Sequence, residues 1–154
     1  MFRPALLAAA LLLPGAALAE PPPTPPEILA EASGWLVGRW TSEEQVDRPG
    51  FGPGLARRAV EFRADGTMEM TASFTPDGAA EPVPELAGLT TATWWMELAD
   101  TLGLRVRLEG VMVTEGDAPP RPGDLVIEVM NLNLRPDGTL YDIDDGIAWR
   151  RRGS

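Results

Sequence analysis

Apolar and polar residues alternate with a period of two along most of this chain, and the connections between the alternating segments are short and long by turns. Thr67 to Phe74 is the cleanest case: Met68, Met70, Ala72 and Phe74 share one face, and Thr67, Glu69, Thr71 and Ser73 the other. Period two is the signature of a half-buried strand, whose side chains point to opposite faces in turn. One-face alternation in most strands fits an antiparallel sheet curled around a core, with no edges left free if it closes.

Further strands follow from the same pattern. Trp35 to Gln45 is the first and Arg57 to Arg63 the second, ahead of Thr67 to Phe74. In Thr90 to Leu98, Ala92, Trp94, Met96 and Leu98 fall on one face, opposite Thr91, Thr93, Trp95 and Glu97. Leu102 to Thr114 sets Leu102, Leu104, Val106 and Leu108 against Arg105, Arg107 and Glu109, and Gly110 is placed to make a bulge. Asp124 to Leu134 is a sixth strand, apolar on both faces. Thr139 to Arg152 reads either as a hairpin turning at Asp145-Gly146 or as one long strand with a bulge there.

Asp65-Gly66, Asp100 to Leu102 and Pro136-Asp137-Gly138 are short turns. Asp47 to Ala56, Thr75 to Leu89 and Glu115 to Gly123 are longer and rich in proline and glycine. In an up-and-down meander alternate connections lie at the same end, so the turns close one end and the loops ring the other. The expectation is an all-β fold: an antiparallel up-and-down β-barrel of seven or eight strands with one open mouth. Glu27 to Ser33 predicts a short N-terminal helix, begun after Pro26 and ended at Gly34.

The first nineteen residues read as a cleaved signal peptide: Arg3, an apolar run from Ala5 to Leu13, and the small-x-small site Ala17-Leu18-Ala19. No cysteine follows that site to carry a lipid. Residues 20–26 form a proline-rich leader, and residues 27–154 a single domain in the periplasm or secreted, with no transmembrane segment after signal removal. A membrane barrel would need lipid-facing apolar positions where this chain has Glu69, Glu97, Arg105, Arg107 and Glu109.

Charge narrows the partners. The net charge is −10, with thirteen basic residues, all arginine, against twenty-three acids, and loss of Arg3 makes the remainder more acidic still. Such a surface repels phosphate backbones, so no nucleic-acid partner is expected. Histidine and cysteine are absent, which removes triads built on them and ordinary zinc sites. Twenty-three acids on a small domain make chance carboxylate pairs plentiful, so a two-carboxylate hydrolase gains no support, and the chain reads as a non-enzyme without a cofactor. Asp142, Asp144 and Asp145 lack the ligand spacing of a calcium loop, and a solvated turn or bulge is the favoured reading, with no metal.

Gly38-Arg39-Trp40, within WLVGRW, resembles the G-x-W of the lipocalin and wider calycin group. The resemblance implies a lipocalin-like barrel in which Trp40 packs at the closed end beneath an arginine of the last strand, here Arg150 or Arg151. Both roles are structural, and the family's ligand-binding residues find no counterparts in this chain.

Five methionines fall in predicted strands, and methionine fills irregular gaps around varied partners. If the barrel holds a cavity, Phe62, Met68, Met70, Trp94, Met96 and Leu104 are its expected lining; the alternative is an ordinary packed interior. Trp94 and Trp95 cannot both face inward, and Trp95 is assigned outside. Two functional readings follow: an exported barrel holding a small apolar or amphipathic ligand, or a protein-interaction or inhibitor-type barrel that grips another exported protein through its mouth loops and leader. Phe51, in a glycine-rich loop, either folds back or meets a partner.

Overall fold

The computed structural model describes residues 22–101, 103–123 and 129–153. The predicted signal segment, Leu102 and the first half of the predicted strand Asp124 to Leu134 lie outside them. In order, the elements are α1 (Pro26–Leu36), β1 (Gly38–Arg48), β2 (Gly52–Phe62), β3 (Thr67–Pro76), a 3-10 turn (Pro84–Leu86), β4 (Gly88–Ala99), β5 (Leu104–Glu115), β6 (Arg121–Pro122), β7 (Val129–Leu134), β8 (Leu140–Asp142) and β9 (Ile147–Arg151).

Every strand pairs antiparallel with its neighbours, and β9 returns to β1, so β1 to β5 and β7 to β9 close an eight-stranded up-and-down barrel. The two-residue β6 pairs with the outer part of β5. The closing seam is short: Trp40 pairs with Arg151 and Thr41 with Arg150. The hairpin reading of the last segment is the observed one, with β8 and β9 paired through Leu140–Trp149, Tyr141–Ala148 and Asp142–Ile147.

The predicted bulge at Gly110 is present: Thr91 pairs with Met112 and Thr93 with Glu109, so two β5 residues oppose Ala92 alone. Gly110 adopts φ +63, a left-handed conformation that glycine takes without steric cost. A second shift between Met96 and Leu98 turns the end of β4, which buries Ala99 where strict alternation would bury Leu98.

Three expectations need correction. Trp35 and Leu36 belong to α1, not to the first strand, and Gly34 does not end the helix. Leu36 is fully buried on the barrel, so packing of the last helical turn outweighs the cost of one helical glycine. Asp47 to Ala56 is not a long loop: β1 and β2 run unbroken to a turn at 49–51. Gly54, one of the residues that suggested a loop, sits in β2 where an added Cβ would come within 2.4 Å of the Thr75 carbonyl and 2.7 Å of the Phe74 ring. It is a close-approach glycine inside a strand. Among the described residues, the mouth is therefore ringed by two long connections, 77–87 and the described part of the β5–β7 connection (116–123), and two tight turns, 49–51 and 143–146.

The inward residues of the closed half form a continuous core: Trp40, Val60, Phe62, Met68, Val106, Leu108, Leu132, Leu140 and Trp149 are each no more than 2% exposed. Helix α1 lies across the closed end and packs on β4. Among the described residues no helix is long and apolar enough to cross a membrane.

Candidate functional site

The residues expected to line a cavity are gathered in one place and packed together. Phe62, Met68, Trp94 and Met96 belong to a single buried cluster, with Met70 and Leu104 packed against it. Phe62 meets Trp94 edge to face at 5.1 Å between ring centroids, a favoured aromatic geometry. The Trp94 indole donates to the Arg63 carbonyl at 3.2 Å. Phe62 and Met68 are each 1% exposed.

The closed end is built around the tryptophan of the G-R-W segment. Trp40 donates through Nε1 to the Leu36 carbonyl at 2.9 Å, tying β1 to the end of α1. Its ring lies 5.2 Å from that of Trp35. The Arg151 guanidinium sits 5.0 Å from the Trp40 centroid and 5.6 Å from that of Trp35. Arg151 also donates to the carbonyls of Trp35 and Val37. Arg150 is exposed.

Beside this stack lies an open cleft of about 540 Å³, within the range of small-molecule sites. One wall is α1, through Ile28, Glu31, Ala32 and Trp35; the other is Ala99 to Thr101, Gly103, Leu104, Asn133 and Leu134. The helical positions follow the spacing i, i+3, i+4, i+7, the stripe a surface helix normally turns onto its core. Here that stripe borders the cleft, while Leu36 is buried and Leu29, Ala32 and Trp35 pack against the core. Ile28 and Leu134 stay 45% and 46% exposed on opposite lips. Thr24, from the leader, reaches the rim through contacts of 3.4 Å with the Ala99 backbone. Reading Trp35 as a strand residue splits this stripe; carrying the helical period through Gly34 would have revealed it.

Comparisons with protein-family models, with curated proteins and with solved structures give no match. Among the described residues no group of three acids is arranged to hold a metal ion.

A second groove on the other side of α1 exposes the edges of Trp94 and Met96 beside Trp95, which lies on the outer face at 44% exposure. At the mouth, Phe51 is 42% exposed while its ring leans on Phe74 at 6.5 Å, and Ile143 is 55% exposed. Asp142 turns into the barrel and is buried. Its Oδ1 accepts from the amides of Asp144 and Asp145, capping the turn. Burial raises its carboxyl pKa and the charges of Asp145 and Asp144 add to this, against those two amide bonds. The described part of the leader and the mouth loops sit at opposite ends of the barrel, so they do not form one continuous surface.

Proposed function

We propose that the protein is an exported, non-enzymatic binding protein of lipocalin-like build that holds a small apolar or amphipathic ligand in the cleft between α1 and the barrel base. One observation carries this reading: two facing apolar walls, with Ile28, Ala32 and Trp35 opposite Ala99, Leu104 and Leu134, bound an open volume of about 540 Å³. Apolar surface left open on both sides of a concavity is stabilised by whatever apolar body fills it. The close packing of Phe62, Met68, Trp94 and Met96 supports this cleft, rather than the closed half of the lumen, as the binding place. Lipocalin-like build is supported by Arg151 over Trp40, and the non-enzymatic assignment by the absence of histidine and cysteine.

The experiment is calorimetric titration of the purified protein with medium-chain amphiphiles, in parallel with the Leu134→Asp variant. Leu134 is half exposed, so the variant folds and loses the apolar lip. Saturable binding that the variant abolishes supports the reading; binding it leaves unchanged overturns it.

The exposed Phe51 and Ile143 on two mouth turns favour a second reading, in which the mouth contacts another exported protein. Affinity capture with Phe51→Ser/Ile143→Ser as the control separates the two, because those positions are remote from the cleft.

A further inference from the structure

We infer that the cleft selects cationic amphiphiles: a short apolar body carrying one protonated amine. This rests on the cleft being a ligand site, and adds the sign of charge its ligand bears. The lining contributes two carboxylates and no arginine. Glu31 comes from α1 and Asp100 from the turn after β4, so each wall brings one acid. Glu31 forms no ion pair with any described residue, whereas six other carboxylates, Glu43, Glu44, Glu61, Glu69, Glu97 and Glu115, are each matched to an arginine. Asp100 accepts from the Gly103 amide at 3.0 Å.

Geometry and charge agree. Ile28 and Glu31 are one turn apart on α1, and Ala32 and Trp35 continue the same stripe toward the barrel. An apolar chain lying along Ala32, Trp35 and Leu104 therefore brings its head group to the acidic rim. The whole protein carries net charge −10, which draws cations toward it and holds anionic fatty acids away. A neutral apolar ligand would gain the contact with the walls and nothing from the rim.

Octylamine, octanol and octanoate, which share one tail length, test this by calorimetry on the purified protein at neutral pH and low salt. Octylammonium should bind several-fold more tightly than octanoate, with octanol between, a spread on the scale of an exposed ion-pair interaction. Glu31→Gln should weaken the amine about three-fold and leave the alcohol unchanged, and Glu31→Arg should reverse the order of amine and carboxylate. Equal affinities for all three probes, or indifference to both Glu31 variants, would overturn charge selection and leave an apolar site. If none of the probes binds, the ligand-site reading falls with it. Concentration-dependent dimerisation abolished by Leu134→Asp, with no probe bound, would identify a second copy of the chain as the occupant and likewise overturn the inference.

Discussion

The Arg151 guanidinium lies 5.0 Å from the centroid of the Trp40 ring, on the rung where β9 meets β1 and closes the barrel. The same side chain donates to the Trp35 and Val37 carbonyls, so one residue joins the last strand, the first strand and the end of α1. Arg150, its neighbour in sequence, pairs through its backbone with Thr41 and is exposed.

Arg151→Ala should therefore cost about 1–3 kcal/mol, from the lost stacking and the carbonyls left without their donor. Arg150→Ala should stay within about 0.5 kcal/mol of wild type. Arg151→Lys keeps the charge and loses the planar fork, and should fall between. Urea denaturation midpoints of the three variants check this order.

Two buried tryptophans differ in one hydrogen bond. Trp40 Nε1 donates to the Leu36 carbonyl, whereas Trp149 Nε1 is buried without a partner among the described residues. Replacing either by Phe removes similar volume, but Trp40→Phe strands a carbonyl and Trp149→Phe removes a donor that was already unsatisfied. Trp40→Phe should be the more destabilising by about 1 kcal/mol, measured by equilibrium unfolding.

The buried Asp142 supplies a pH dependence. Its folded-state pKa is raised by burial, so the folded protein binds the proton more readily than the unfolded chain. Stability from this residue is present below the ordinary carboxylate pKa and is lost as pH rises through the unfolded and then the folded value. Asp142→Asn keeps an acceptor oxygen for the Asp144 and Asp145 amides without the charge. It should match wild type at low pH and gain stability over it as pH approaches neutrality. Asp65 and Asp137 act in the opposite sense: hydrogen bonds from Thr67 and Thr139 lower their pKa values, and what they contribute is lost as pH falls. Denaturation midpoints across the acid range, compared between wild type and Asp142→Asn, isolate the Asp142 part.

Local chemistry made part of this fold readable. Asp65-Gly66 marks a turn because Asp65 accepts from both the amide and the hydroxyl of Thr67, at 2.9 and 2.7 Å, and both partners are two residues away. The alternation of β3 is legible because one side of that strand faces the core throughout. What was hidden depends on distant contacts. Gly54 looks like a loop residue until Phe74 and Thr75 are seen pressed against it. Trp35 looks like the start of a strand until Leu36, next to it, is seen buried on the barrel. The cleft was hidden for the same reason, since its walls come from α1, the β4–β5 turn and β7.

Core and cleft should also separate in mutagenesis. Trp94→Ala removes a ring packed on Phe62 and should cost about 3–5 kcal/mol in stability. Leu134→Asp should change stability by less than about 1 kcal/mol, because that side chain is already half exposed. Thermal melts of the two variants, run beside wild type, check the contrast.

The most direct measurement is chemical-shift mapping of the isotope-labelled protein during titration with octylamine. A ligand seated between α1 and the barrel base gives saturating shifts at the amides of Ile28, Ala32, Leu104 and Leu134 and at the Trp35 indole, with Met70, Ala72 and Phe74 unmoved. Saturating shifts at Met70, Ala72 and Phe74 with the cleft silent would place the ligand inside the barrel mouth and contradict that seating.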